Sequence, residues 1–303
     1  MYSVVVPVYN SEDSLPELFG GIRAVFASRQ ETFEVIFVDD DSRDGSWQVI
    51  RTLRDENPGL VRAVRLGRNF GQHNATLCGF GFAKGDRIIT IDDDLQTPPE
   101  EIVKLIGRAD ETGADLVYGY AGKKNHSQLR NLGSRSLKSS ARLFHGSPGE
   151  GSSFRLLSAD IAGKVSNHQQ NFIFLDEILL WYTADITFTR VAHLPRKYRQ
   201  SGYSFPKLVK LFANVVLYYT MVPLKFLVYG GFLVSLITFF VGLWFIIKKM
   251  VYNVPLGYTS LIVTILFSTS IILFSLGVLG EYLSRIYQVQ NRKPPYSVKL
   301  VLD

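Results

Sequence analysis

The residues with most capacity for chemistry stand in two acidic clusters, each closing an apolar run: Val38-Asp39-Asp40-Asp41-Ser42 and Ile91-Asp92-Asp93-Asp94-Leu95-Gln96. Carboxylates crowded at a strand end repel one another, which is sensible when a cation or a hydrogen-bonding ligand lies between them. In an extended Asp-x-Asp the alternate side chains share a face, so Asp92 and Asp94 are expected to converge while Asp93 turns away. Taken alone, either cluster also reads as a solvated turn with an aspartate capping the next helix, the reading for Asp44 before Trp47 and Ile50. Five histidines, His73, His126, His145, His168 and His193, show no metal-ligand spacing. The single cysteine, Cys78, excludes an intramolecular disulfide framework and a Cys-cluster metal site. The chemistry therefore rests on carboxylates, amides, hydroxyls and cations.

The segments around these clusters alternate in type. Tyr2 to Val8, Phe33 to Asp39, Val61 to Leu66, Arg87 to Asp92 and Ala114 to Gly119 are strand-like. Between them runs helical periodicity, for example Leu15, Leu18, Phe19, Ile22, Val25 and Phe26. This order predicts an α/β domain whose mostly parallel sheet carries helices on both faces and ligands at the carboxyl ends of its strands. No G-x-G-x-x-G follows the first strand and no G-x-x-x-x-G-K-[ST] occurs, so neither a dinucleotide fingerprint nor a P-loop is available.

Charge divides the 303 residues, whose net is +6. Met1 to Asp185 carries a net of −5 and Ile186 to Asp303 a net of +11. A hydrophobic fraction of 47% and a mean hydropathy of +0.10 exclude a disordered chain and are high for a purely soluble enzyme. Residues 226–247 and 256–280 are runs of 22 and 25 without a charge. At about 1.5 Å per residue each run can cross a hydrocarbon core of about 30 Å, which predicts a transmembrane hairpin in place of buried core helices. Cations before the first run (Arg190, Arg196, Lys197, Arg199, Lys207, Lys210, Lys225) and after the second (Arg285, Arg292, Lys293, Lys299) put both termini in the cytoplasm by the positive-inside rule. The amino terminus lacks a basic run followed by an apolar one, so no signal peptide is expected. Phe205 to Pro223 is amphipathic, with Leu208, Leu211, Phe212, Val215 and Val216 at helical spacing beside Lys207 and Lys210, and reads as a helix in the membrane interface. Cations flanking apolar spans point to anionic lipid rather than nucleic acid.

The motifs Val6-Pro7-Val8-Tyr9-Asn10, Val38-Asp39-Asp40-Asp41-Ser42 with Asp44-Gly45, Arg68-Asn69-Phe70-Gly71, and Asp92-Asp93-Asp94-Leu95-Gln96 with Pro98 resemble the family 2 glycosyltransferases of GT-A fold. The branch most resembled is the polyprenyl-phosphate glycosyltransferases, which include dolichyl-phosphate mannosyltransferase. The likeness continues through Gly151-Ser152-Ser153-Phe154-Arg155 and Arg199-Gln200-Ser201-Gly202-Tyr203-Ser204. It ends with Gly280 to Tyr287 and Arg292-Lys293-Pro294-Pro295-Tyr296, which look like the bacterial undecaprenyl-phosphate members. The resemblance implies residues 1–203 as a cytosolic GT-A domain, 204–223 as the interface helix, and 224–303 as the hairpin with a cytoplasmic tail, in a bacterial inner membrane. It implies a nucleotide-sugar donor, UDP-linked, held by Pro7, Tyr9, Asp40 and Asp93, and Mg²⁺ or Mn²⁺ held by Asp92, Asp94 and Gln96. It implies a polyprenyl phosphate acceptor met by Arg130, Ser134, Arg135 and Arg199. Asp92 and Asp94, with Asp176 as an accessory carboxylate, would be the catalytic acids. In two places the chain departs from the family pattern: Ser11 replaces the glutamate that often follows Tyr-Asn, and Phe205 replaces a lysine, with Lys207 as its substitute.

These features imply an inverting transfer of a sugar to a lipid phosphate, for cell-envelope glycan or lipid A modification. A lipid phosphate is already an anion and needs alignment and charge screening more than a general base. A processive polysaccharide synthase would carry more spans and a Q-x-x-R-W motif, neither of which is found; a non-catalytic membrane scaffold would not need intact acidic clusters. A homo-oligomer with C-terminal tails packed on neighbouring domains is a further expectation.

Overall fold

A computed structural model describes residues 1–121, 152–167, 174–195, 222–252, 257–291 and 294–303. The chain forms two units, Met1–Tyr203 with Pro294–Asp303, and Ser204–Lys293.

In the first unit the predicted alternation is present: β1 (Tyr2–Val8), α1 (Leu15–Arg29), β2 (Phe33–Asp39), α2 (Ser46–Glu56), β3 (Val61–Leu66), α3 (Gln72–Phe80), β4 (Arg87–Thr90), α4 (Ile102–Thr112) and β5 (Leu116–Ala121). There follow β6 (Arg155–Ser158), α5 (Ala159–Ser166), α6 (Leu175–Tyr182) and β7 (Ile186–Val191). The described strands make one sheet in the order β7-β5-β6-β4-β1-β2-β3-β8, where β8 is Val298–Leu302. Pairings β4-β1, β1-β2, β2-β3 and β5-β7 are parallel; β6 runs antiparallel to β4 and β5, and β8 to β3. The fold is thus α/β with a mostly parallel sheet, as expected. The last ten residues, grouped by sequence with the hairpin, belong to the first unit.

β1 and β2 lie in the middle of the sheet and read as continuous buried runs because helices cover both faces. Pro7 is tolerated in so central a strand because β4 pairs with β1 only as far as Val5–Thr90, so β1 runs on past its neighbour. The six periodic residues of α1 are all buried. Burial of each such side chain stabilises by about 1.5–3 kcal/mol.

Where β1, β2 and β4 end, the chain turns through left-handed residues that are not glycine: Asn10 (φ 52°), Asp41 (φ 58°) and Leu95 (φ 56°). Such a conformation costs about 1–2 kcal/mol per residue and gathers where loops serve function. Gly79 sets the depth of α3: a Cβ there would lie 2.3 Å from Val5 Cγ1. With only a hydrogen at that position, α3 packs directly on β1, and its first residue, Gln72, comes to the rim bearing the acidic loops.

The second unit contains α7 (Val222–Tyr252, 31 residues) and α8 (Tyr258–Gln290, 33 residues). Residues 226–247 and 258–280 of the two charge-free runs are therefore helical. Among the described residues one window, Phe267–Ser284 with mean hydropathy 1.4, is long and apolar enough to cross a membrane. Most of the described apolar side chains are exposed, Phe226 at 70% and Trp244 at 65% among them, while Leu227, Val234, Ile271 and Val278 are half-buried. The predicted interface helix falls almost wholly outside the described residues.

Candidate active site

Both acidic clusters stand at the carboxyl ends of parallel strands, the place where α/β sheets bind ligands. Their members do different things. Asp39 is fully buried; its Oδ1 accepts from Ser42 N at 3.1 Å, while Arg65 Nε lies 3.1 Å from its Oδ2, close enough for an ion pair but not aligned as a hydrogen bond. Arg65 in turn lies over the Trp47 ring. Asp40, expected at the nucleotide, accepts Phe70 N–H on Oδ1 at 2.7 Å and Gly71 N–H on Oδ2 at 2.8 Å. It thereby holds the Arg68-Asn69-Phe70-Gly71 loop at the start of α3. Burial raises the Asp40 carboxyl above its ordinary range, and the two backbone donors oppose that rise.

In the second cluster the three aspartates take different partners. Asp92 accepts Gln72 Nε2 on Oδ1 and Ser153 Oγ on Oδ2, each at 2.6 Å. Asp93 turns to the end of β1, where its Oδ2 accepts Tyr9 N–H at 3.0 Å, and Ser14 Oγ donates to its backbone carbonyl at 2.5 Å. Asp94 Oδ1 accepts Gln96 N–H at 3.1 Å. Burial pushes Asp92 and Asp93 up to about 6 each; Ser153 lowers the first, Ser11 and Tyr9 lower the second, and neighbouring aspartates raise both. Asp94 acts electrostatically on both. Gln96 is tied to the segment after β7: Leu194 N–H donates to its carbonyl at 2.7 Å and its Nε2 donates to Leu194 O at 3.4 Å.

Asp176, the expected accessory carboxylate, lies in the first turn of α6. Its Oδ1 accepts from Arg155 Nη1 at 2.8 Å and from Tyr118 OH at 3.2 Å. Arg155 is 2% exposed and lies over the Tyr118 ring, so a buried cation has its counter-ion there. His73, beside Gln72, accepts Leu175 N–H at 3.5 Å through Nδ1 and packs edge-on against Phe174. Burial lowers it to about 4, and Asp176 opposes that shift. Ser153 and Arg155 belong to the sequence motifs, but the motifs do not pair them, or Gln72, Tyr118 and His73, with the acidic residues. Nothing in a linear pattern says that α3, β5 and β6 bring these side chains together.

Of the expected site residues, Pro7 lies in β1 one residue from its end, Tyr9, Asp40, Asp92, Asp93, Asp94 and Gln96 sit on the loops closing β1, β2 and β4, and Asp176 on α6. Arg130, Ser134, Arg135, Arg199 and Lys207 lie outside the described residues. Asp92 and Asp94 carry carboxylate oxygens of the kind a hard divalent cation takes; no group of three or more His, Cys, Asp or Glu able to hold an ion occurs among the described residues. Such a pair suits an ion that keeps water and phosphate oxygens as its other ligands, rather than a metal caged by protein.

This sheet order and acidic rim are those of a GT-A domain. The model for glycosyl transferase family 2 matches residues 3–162, and the chain belongs to that family and is a glycosyltransferase. It is 32% identical over 308 residues to the undecaprenyl-phosphate 4-deoxy-4-formamido-L-arabinose transferase of Klebsiella pneumoniae subsp. pneumoniae, covering 99% of this chain and 93% of that one. The enzyme of the same name from Pseudomonas aeruginosa PAO1 is 32% identical over 307 residues, 100% of this chain and 90% of that one. The crystal structure of Mycobacterium tuberculosis glucosyl-3-phosphoglycerate synthase with Mn²⁺, UDP-glucose and phosphoglyceric acid is similar in fold, with TM-score 0.51 and 18% identity over 72% of this chain and 77% of that one.

Proposed function

We propose that this protein is an inverting, divalent-metal-dependent transferase that moves a sugar from a UDP-sugar to undecaprenyl phosphate at the cytoplasmic face of a bacterial inner membrane. The observation that carries this reading is the facing pair of acidic loops on a GT-A sheet, with Asp92 and Asp94 after β4 and Asp40 after β2. The acceptor is supported by likeness over nearly the whole chain to transferases named for undecaprenyl phosphate. The lipid-linked monosaccharide would serve cell-envelope glycan or lipid A modification.

In this reading Pro7, Tyr9 and Asp93 line the nucleotide, and Asp40 shapes that end of the site by holding the Phe70 and Gly71 amides. A bound Mg²⁺ or Mn²⁺ supplies charge neutralisation for the departing diphosphate. Asp92 and Asp94, with Gln96 beside them, hold it. A lipid-phosphate oxygen attacks the anomeric carbon, the bond from that carbon to the diphosphate oxygen breaks with its electron pair, and the configuration inverts. No proton need be removed from the nucleophile, so Asp176 anchors Arg155 and is not required as a general base. Arg130, Ser134, Arg135, Arg199 and Lys207 meet the acceptor phosphate. Residues 1–203 form the cytosolic domain, 204–223 the interface helix, and α7 and α8 a two-span hairpin with both termini cytoplasmic.

Purified full-length protein given a mixed pool of nucleotide sugars, undecaprenyl phosphate and Mn²⁺ is expected to yield one lipid-linked monosaccharide by mass spectrometry. The sugar in the relatives' names is the first to include. Asp94→Asn is expected to lower turnover by about 10²-fold or more, the loss that follows removal of a transition-state charge partner, with an unchanged melting curve. Full turnover by that variant would overturn the metal assignment.

A further inference from the structure

The two acidic clusters belong to separate loops, yet two consecutive residues join them. The Gly71 amide donates to Asp40 Oδ2 at 2.8 Å, and the next side chain, Gln72, donates from Nε2 to Asp92 Oδ1 at 2.6 Å. Ser153 Oγ grips the other Asp92 oxygen at 2.6 Å, and the Ser153 carbonyl is itself held by Thr90 Oγ1 from the end of β4. Asp92 is therefore oriented from both sides by neutral donors from parts of the chain remote in sequence. An ionised carboxylate has about four acceptor positions, so two donors fix its plane and leave lone pairs for a further ligand.

The choice of donor matters. A lysine or arginine here would orient Asp92 but cancel the charge that attracts a cation; an amide and a hydroxyl orient it and leave the charge in place. We propose that Gln72 is a positioning residue for divalent-cation binding: with Ser153 it holds Asp92 in its ligating orientation, and through the Gly71 amide it ties that orientation to the loop carrying Asp40. The inference rests on the metal-dependent reading of the Asp-x-Asp loop given above. It assigns a role to a side chain outside both acidic motifs, and it makes α3 the element that couples the nucleotide end of the donor site to its diphosphate end.

Gln72 is exposed and heads a helix, so removing its amide leaves the core untouched. Surface changes of this kind leave stability nearly unchanged, whereas loss of a hydrogen bond that orients a metal ligand weakens metal affinity by about 10- to 100-fold. The two effects separate in a binding measurement. Calorimetric titration of UDP into the full-length protein at a series of Mn²⁺ concentrations compares the wild type with Gln72→Ala and with Gln72→Met, which keeps the side-chain length but lacks the donor. Both variants are expected to need about tenfold more Mn²⁺ for half-maximal UDP binding, with metal-free UDP affinity and melting temperature unchanged. Wild-type metal dependence in either variant overturns the role of Gln72, as does an equal loss of UDP affinity with and without metal, which would mean that Gln72 contacts the nucleotide directly. A wild-type protein that binds UDP indifferently to Mn²⁺ overturns the metal reading itself, and that failure is visible before any variant is made.

Discussion

Asp176 shows how much a carboxylate's partners decide about its role. Its position before Glu177 is compatible with a catalytic acid, but Arg155 and Tyr118 both donate to its Oδ1, and Arg155 is buried beneath it. Removing one partner of a buried pair leaves an uncompensated charge and costs about 3–5 kcal/mol. Asp176→Ala is therefore expected to lower the melting temperature markedly, and Arg155→Met combined with Asp176→Leu to recover most of the loss. A variant that melts like the wild type while losing turnover would show that Asp176 acts on substrate. The two clusters were legible in the sequence because carboxylates crowded after an apolar run repel one another, a local feature of residue type and spacing. Their partners were not: Gln72, Ser153 and Tyr9 approach from strands and helices whose neighbours are set only by sheet order.

Strand β8 is the element the sequence hid most thoroughly. Its five residues stand behind a basic, proline-containing segment, apart from the alternating strands and helices; Val298, Lys299 and Leu300 are exposed and Val301 and Leu302 half-buried. Their stability comes from pairing. β8 covers the free edge of β3, Ser297 O accepts Gly67 N–H at 2.9 Å, Arg62 Nε lies 2.5 Å from Asp303 Oδ1, and Arg54 Nε donates to Asp303 O at 2.9 Å. Tyr296 reaches the end of α3, where burial pushes its hydroxyl up to about 12. An unpaired edge is both less stable and open to association. Deleting residues 298–303 is expected to cost about 2 kcal/mol, a fall of about 4–8 °C in melting temperature for a unit of this size, and to raise light scattering on storage. Unchanged melting and a monodisperse product would show the tail to be dispensable. The first three strands, by contrast, were legible to the residue and the buried stripe of α1 was legible as such, because a bounded apolar run and a helical period are local properties of the sequence.

The whole chain divides as its charge does, with the acidic rim in the −5 portion and the apolar helices in the +11 portion. The hairpin reading predicts that the α7–α8 connection and the catalytic domain lie on opposite sides of the membrane. Cys78 is the only cysteine and is buried, so single engineered thiols report cleanly. Asn253→Cys is expected to react with an impermeant thiol reagent in intact spheroplasts, and Glu56→Cys, exposed on α2, only after permeabilisation. Labelling of both from the same side would refute the hairpin. Composition and period were enough for the α/β class, the acidic clusters and the two long helices, since each of these is a local property of residue type and spacing. Which donors fix each carboxylate, that Asp40 holds a loop, that Asp176 neutralises an arginine, and that the tail returns to close the sheet were decided by tertiary structure. Those contacts join residues tens to hundreds of positions apart, and their geometry exists only once β-strand order and the close packing of α3 on β1 have been set.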